Sequence, residues 1–154
     1  MNFSVGKNFN GVPDPENPGW FLWDAGDPDL FANAGLGPIR VRPESERSCR
    51  FRFHPERRHG NLFGNIVHGG VTTGLADSAM FITINLLLDI PLPGPVTLDL
   101  SCQFMGAARV GEPMDFVVEI LKETGRFVFL RGLAEQADET ILSYTGTTRK
   151  AAHK

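Results

Sequence analysis

The residues best suited to chemistry in this chain lie between Asn61 and Asp77, in the stretch NLFGNIVHGGVTTGLAD. Gly69 and Gly70 stand at the start of an apolar, helix-forming run, so we expect no side chain to cover the first backbone N–H groups of that helix. Such groups carry the positive end of the helix dipole and stabilise an oxyanion or a phosphate. An acid about two turns further on, beside fixed N–H donors, suits hydrolysis of an activated carbonyl compound.

Asp77 has two interpretations from spacing alone. Helical side chains lean toward the N-terminus, so Asp77 reaches over the turn that contains Gly74. Glycine costs about 1 kcal/mol relative to alanine inside a helix, and its missing side chain would leave the carboxylate open to a ligand or to a partner backbone. The same spacing also fits a surface acid that stabilises the helix through its dipole.

The elements that must position these residues follow from hydrophobic periodicity. Residues 69–87 predict a helix whose apolar stripe runs through Val71, Leu75, Ala79, Ile82 and Leu86. A break rich in proline and glycine follows at residues 91–95. Alternating apolar and polar residues predict six strands, at 39–42, 48–53, 96–104, 114–123, 127–136 and 140–148. The expected fold is α+β, with an antiparallel sheet of five to six strands wrapped around one long central helix.

The ends of the chain differ from this central part. Residues 1–38 hold six glycines, five prolines and both tryptophans, and they carry a net charge of −4. We interpret them as an arm that packs on the main body, with one short helix that begins at Asp27. Residues 39–149 form the predicted domain, and residues 150–154 form a tail.

Composition excludes several classes of protein. The chain has 154 residues, 42% of them apolar, and a net charge of −3, which argues against a nucleic-acid binder. The longest apolar run, 79–88, is short and contains Asn85, so no membrane span is expected. The N-terminus lacks a secretory h-region, which favours the cytoplasm. His54 and His59 lack a third ligand at a recognised spacing, so we expect surface histidines and no metal site.

The stretch HGGVTTGLADSA resembles the signature of hotdog-fold thioesterases of the phenylacetic-acid-degradation (PaaI-like) type. VTLDLSCQFMGAARVGE resembles the next strand and turn of that family, and LKETGRFVFLRGLAEQADETILSYTGTTR resembles its final hairpins. The resemblance covers residues from about 48 to 149. It implies a hotdog fold and hydrolysis of acyl-CoA thioesters without a cofactor. It also implies a homo-oligomer, a dimer or a homotetramer built as a dimer of dimers, with active sites between subunits.

The resemblance also implies roles for individual residues. Asp77 would activate water or attack the thioester carbonyl, and the backbone N–H of Gly69 would polarise that carbonyl. His68 would shape the turn before the helix, and Thr97 would help to position the nucleophile. Asn61 is the best match for the amide that orients the water or the carbonyl.

Further residues are candidates for contacts with the substrate. The loop from Asn61 to His68 is one residue longer than the family pattern, so Asn65 is an alternative for the amide role. Arg57 and Arg58 stand just before this loop and would attract the phosphates of CoA. The remaining predicted substrate contacts are Gly70, at the helix start, and Phe81, one turn after Asp77.

Two other functions remain open at this point. His68 and Asp77 could form the dyad of a hotdog hydratase or dehydratase that acts on acyl-CoA or acyl-carrier protein. The chain could also bind acyl-CoA without turning it over.

Overall fold

The computed structural model describes residues 5–91 and 94–151, so parts of the predicted arm, of the tail and of the 91–95 break lie outside it. The described residues contain eight strands and one long helix. Their bounds are β1 Gly11–Pro13, β2 Phe21–Trp23, β3 Ile39–Pro43, β4 Ser48–Phe53, α1 Gly69–Leu88, β5 Val96–Phe104, β6 Met114–Glu123, β7 Phe127–Gln136 and β8 Glu139–Arg149.

All eight strands form one antiparallel sheet in the order β1-β2-β3-β4-β6-β7-β8-β5. Strand residues alternate between buried and exposed, as in β7, because one face of the sheet covers the helix. Gly146 in β8 lets Met80 of α1 approach the sheet, since a side chain at this glycine would meet the methionine sulfur. The predicted α+β fold, a sheet wrapped around one long helix, is confirmed.

Helix α1 forms the centre of the core. Leu75, Ala79, Ile82 and Leu86 of the predicted stripe are buried, and Val71 is half-buried. By length and apolar composition alone α1 could cross a membrane. However, 56% of its most apolar window is buried inside the fold, so it is the core helix of a globular domain.

The sheet is wider than predicted because the N-terminal arm, residues 5–38, adds β1 and β2 to its edge. Trp20 lies buried between these strands and the body, with the guanidinium groups of Arg42 and Arg52 stacked on it at 4.6 and 5.0 Å. The short helix predicted to begin at Asp27 begins later, as a π-helical turn at Ala32–Leu36. Asp27 Oδ1 instead accepts the N–H of Asp29 at 2.9 Å and closes a turn.

Asn85 fastens the arm to the end of α1. Its side chain is fully buried, and its Nδ2 donates to the backbone oxygens of Asn8 at 2.9 Å and Ile90 at 3.0 Å. Its Oδ1 accepts the N–H of Asn10 at 3.2 Å. A polar residue in this apolar helix is therefore satisfied by the chain segments on either side of it.

Candidate active site

The carboxylate of Asp77 is half-buried on α1 and is held by one residue of the neighbouring strand. Thr97 Oγ1 donates a hydrogen bond to Asp77 Oδ1 at 2.7 Å. Directly after Thr97 the pairing of β5 with β8 shifts, with Leu98 as the extra residue of a β-bulge. Bulges re-aim strand side chains and are common beside active sites. In the described part of the chain Oδ2 has no hydrogen-bond partner, so it is free to act on a bound molecule.

At the start of α1, one of the two glycine N–H groups is open and the other is hydrogen-bonded. His68 caps the helix, and its Nδ1 accepts the N–H of Gly70 at 2.9 Å. The amide of Gly70 is therefore occupied. The N–H of Gly69 makes no hydrogen bond to any residue that the structure describes. It lies at the positive end of the dipole of α1, which makes it a donor for an oxyanion.

His68 and Asp77 are not joined within this chain. No hydrogen bond or ion pair between them occurs among the described residues, because Thr97 contacts the carboxylate and the His68 ring caps the helix. The backbone N–H of His68 donates to the oxygen of His59 at 2.8 Å, which fixes the turn before the helix. Within the described residues, His68 therefore contacts the turn and the helix start and not the acid.

The two asparagines of the site loop differ in how they are used. Asn61 Oδ1 accepts the N–H of Phe63 at 3.0 Å, and its backbone N–H donates to Ile66 at 2.7 Å, which closes the loop. Asn65 is exposed, and its backbone oxygen accepts the N–H of Val110 at 3.1 Å. Neither side chain forms a hydrogen bond with the Asp77 carboxylate in this chain.

The two arginines before the loop also differ. Arg58 pairs with Glu56 at 3.1 Å and donates to the backbone oxygen of Ala34 at 2.5 Å, so it ties the arm to the body. Arg57 is exposed, and its side chain has no partner in the part of the chain that the structure describes. Only Arg57 is thus unengaged and available to an anionic ligand.

His59 was interpreted as a surface histidine, and that interpretation is wrong. Its side chain is 2% exposed; Nδ1 accepts the N–H of Glu56 at 2.8 Å, and Nε2 lies 3.0 Å from the oxygen of Gly35. The Glu-x-x-His spacing, which forms a reciprocal cap, was the signal in the sequence. Across residues 5–91 and 94–151, no group of three or more His, Cys, Asp or Glu side chains is placed to hold a metal ion.

The open space expected at Gly74 is occupied by the arm. A Cβ atom at Gly74 would lie 3.2 Å from the ring of Phe31, so this ring covers the turn before Asp77. After Asp77, Phe81 and Ser78 line a cleft of about 440 Å³. Sequence reasoning missed the contact of Phe31 because it joins two segments that no periodicity relates.

The thiol of Cys49 is not part of this chemistry. Cys49 is fully buried and contacts the hydroxyl of Thr83 at 2.9 Å. Burial raises the pKa of the Cys49 thiol to about 12, despite the opposing hydrogen bond with Thr83. A thiol in this setting is not a nucleophile near neutral pH.

Comparison with known proteins identifies a family for this chain and relatives of its fold. The sequence profile of the thioesterase superfamily matches residues 64–143, just over half of the chain. A protein of Pseudomonas aeruginosa named "Putative esterase PA0474" is 27% identical over 111 residues, which cover 72% of this chain and 81% of that protein.

Solved structures of thioesterases share the fold. Zebra fish thioesterase superfamily member 2 superposes with a TM-score of 0.70 at 22% identity, over 82% of this chain and 90% of that chain. A hypothetical thioesterase of Streptococcus pneumoniae TIGR4, solved with coenzyme A, superposes with a TM-score of 0.66 at 14% identity, over 75% of this chain and 88% of that chain. The hotdog fold expected from the sequence is therefore confirmed.

Proposed function

This chain belongs to the thioesterase superfamily, and on that basis we propose that it is a PaaI-like enzyme that hydrolyses an acyl-CoA to a free acid and CoA. The observation that carries the proposal is the state of two groups on α1. They lie eight residues apart, which is about 12 Å of helix rise, so the acid of one copy would act with the helix start of a second copy. Asp77 is held by Thr97 with one oxygen unpaired, and Gly69 presents an unpaired N–H. These are the base or nucleophile and the oxyanion donor that thioester hydrolysis requires.

The reaction follows from these groups. The thioester carbonyl oxygen accepts a hydrogen bond from the N–H of Gly69, which stabilises the negative charge that develops on it. Asp77 Oδ2 removes a proton from water as the water oxygen bonds to the carbonyl carbon. The C–S bond then breaks, and the CoA thiolate leaves and takes up the proton. In the nucleophilic variant, Asp77 Oδ2 itself bonds to the carbonyl carbon, the C–S bond breaks and the CoA thiolate leaves. Water then hydrolyses the resulting mixed anhydride, which releases the free acid, restores the carboxylate and supplies the proton that the thiolate takes up.

CoA would be held by the basic segment before the site loop. Arg57 is exposed and unengaged, whereas the guanidinium of Arg58 is already shared with Glu56 and Ala34. We therefore assign the phosphate contact to Arg57 ahead of Arg58. The pneumococcal structure with coenzyme A supports this ligand class. Asn61 or Asn65 would orient the attacking water, as the resemblance to the family implies.

A second copy of this chain would complete the site. Among the described strands β5 ends the sheet and pairs with β8 alone, and it carries large exposed apolar side chains at Val96, Leu98 and Phe104. Phe63, in the site loop, is 84% exposed. Exposed apolar edges of this kind are covered by association. The proposed assembly is a dimer through β5, or a homotetramer as a dimer of dimers, with active sites between subunits.

Domain limits and location complete the proposal. Residues 39–149 would form the catalytic domain, with residues 1–38 as the arm and residues 150–154 as a tail. Two unpaired cysteines, of which Cys49 is buried, fit a reducing compartment such as the cytoplasm.

A hotdog hydratase or dehydratase fits less well. That reaction needs a histidine that shares proton transfer with the acid, and among the described residues His68 caps α1 through Nδ1 and forms no hydrogen bond with Asp77. The structure therefore favours hydrolysis, in which the carboxylate acts without a histidine.

The purified protein is assayed with acetyl-, butyryl-, octanoyl-, phenylacetyl- and crotonyl-CoA, and two quantities are measured. A thiol reagent reports released CoA, and the absorbance of the conjugated enoyl group reports hydration. The proposal predicts release of thiol from at least one acyl-CoA and no hydration of crotonyl-CoA. Hydration without thiol release would favour the hydratase, and binding without either signal would favour an acyl-CoA-binding protein.

A further inference from the structure

The N-terminal arm reaches the substrate side of α1 on both sides of Asp77. One turn before the acid, the ring of Phe31 lies against Gly74. After the acid, the arm and α1 enclose the cleft of about 440 Å³. Asp77 itself is not among the described lining residues, but Ser78, which follows it directly, and Pro95, two residues before Thr97, are.

The lining of this cleft is apolar and uncharged. From the body it includes Phe81 and Ile82; from the arm it includes Trp23, Leu30 and Ala32. The polar members are Asn10 and Ser78, and none of the described lining residues carries a charge. An apolar pocket of this size falls in the range that binds small organic groups. A two-carbon acetyl group would leave most of the volume unfilled, and a carboxylated acyl group would lose its hydration without an ion-pair partner.

The arm is fixed to the body by specific contacts. Arg40 donates to Asp14 at 2.7 Å, β2 pairs with β3, and Asn85 bonds to the backbone of Asn8 and Asn10. Trp23 is the last residue of β2, so its ring is held on the cleft by the sheet. The arm is therefore a preformed wall.

Two large apolar side chains of the arm remain exposed beside the acid. Leu30 is 50% exposed and lines the cleft together with Ser78 and Phe81, and Phe31 is 62% exposed with its ring over Gly74. Exposed apolar groups beside a cleft commonly mark a ligand-binding surface. The match to the superfamily profile begins at residue 64, so the arm lies outside it and can give this chain its own specificity.

We infer that the arm forms one wall of the acyl pocket and makes the enzyme selective for uncharged acyl groups of medium length or with one aromatic ring. The inference rests on the proposed function and specifies its substrate class. The thioester carbonyl lies at Asp77, and the acyl group extends along α1 past Ser78 and Phe81 against Leu30 and Ala32.

The test changes the arm without touching Asp77, Gly69 or Thr97. Ala32→Phe fills the cleft, and Leu30→Ala removes apolar contact at an exposed position that folding tolerates. Val12→Ala, on β1 and away from the cleft, is the matched control, because Val12 is also large, apolar and exposed. The readout is kcat/KM for acetyl-, octanoyl-, phenylacetyl- and malonyl-CoA, with a thermal melt of each variant.

We expect the wild type to prefer octanoyl- or phenylacetyl-CoA over acetyl- and malonyl-CoA. Ala32→Phe should lower kcat/KM for the two larger substrates at least about tenfold and leave acetyl-CoA within about threefold, because hydrophobic-pocket changes discriminate on this scale. Leu30→Ala should lower kcat/KM severalfold for the same two substrates, and Val12→Ala should leave kcat/KM unchanged for every substrate. An equal effect on all substrates, or no effect of either arm variant, would overturn the inference.

The proposed function can fail separately. If the wild type releases no thiol from any acyl-CoA, hydrolysis is wrong, and calorimetry with a non-hydrolysable octanoyl-CoA thioether and with CoA alone then tests the pocket. Weaker binding of the thioether to Ala32→Phe, with unchanged binding of CoA, would support the arm as the acyl wall. An equal loss of affinity for both ligands, or an unchanged affinity for both, would refute the arm as the acyl wall.

Discussion

Replacing Thr97 with valine tests the hydrogen bond that orients the carboxylate of Asp77. Valine has nearly the shape of threonine and a high preference for strands, so β5 should fold unchanged. The only loss is the donor that holds Asp77 Oδ1 at 2.7 Å. Without it the carboxylate can rotate about its side-chain bonds, and Oδ2 is no longer held toward the position of the thioester.

The size of the effect follows from the kind of bond. A hydrogen bond to an ionised group is worth about 1.5–3 kcal/mol. If the whole of this free energy stabilises the transition state and not the bound substrate, its loss should lower kcat about 10- to 150-fold with little change in KM. Because Thr97 is only half-buried, the melting temperature should change little.

The assay compares kcat, KM and the thermal melt of Thr97→Val and Thr97→Ser with those of the wild type, on the best acyl-CoA substrate. Thr97→Ser keeps a hydroxyl and should retain most of the activity, so it separates the hydrogen bond from the packing of the side chain. A Thr97→Val enzyme with wild-type kcat would refute the positioning role. So would an equal loss of activity in both variants.

Three further predictions follow from contacts away from the carboxylate. Asn85→Leu leaves backbone groups of the arm without partners, at about 1–3 kcal/mol each, so limited proteolysis should cut the arm faster than in the wild type; equal resistance would show that Asn85 does not hold it. Burial raises the pKa of Asp115, but hydrogen bonds and the charges of Arg52 and Arg50 outweigh it and leave the pKa lowered. The stabilisation is present above the unfolded pKa of about 3.9 and is lost as pH falls through the folded value, so the melting-temperature gap between wild type and Asp115→Asn should close below about pH 4. Cys49 should resist a thiol reagent in the native protein at pH 8 and react after denaturation; rapid reaction of the native Cys49, measured in a Cys102→Ser variant, would contradict its burial.

Hydrophobic periodicity was enough to predict the framework of the fold. The alternation in 114–123 and 127–136 gave β6 and β7 with their observed bounds, because one face of each strand must cover α1. The arm strands β1 and β2 were missed, since three residues each are too few to show a period. Their pairing depends on Trp20 and on the edge of β3, which are tertiary features.

Some features of the candidate site could also be predicted from the sequence, and others could not. The glycine-rich start of α1 and the acid two turns later were visible in the sequence, because helical spacing relates them. Thr97 is 20 residues from Asp77 on a different element, and only the family resemblance singled it out. The capping of Gly70 by His68 and the ring of Phe31 over Gly74 depend on side-chain rotamers and packing, which no spacing rule specifies.

The most direct test of the proposed chemistry is the rate of thiol release by Asp77→Asn. Asparagine keeps the size of the side chain and an oxygen that accepts the hydrogen bond from Thr97, but it cannot act as a base or as a carboxylate nucleophile. We predict a fall in kcat of about 10²–10⁴-fold, the range that general acid–base catalysis contributes, with an unchanged melting temperature and unchanged affinity for CoA. Wild-type turnover in this variant would contradict the role assigned to Asp77.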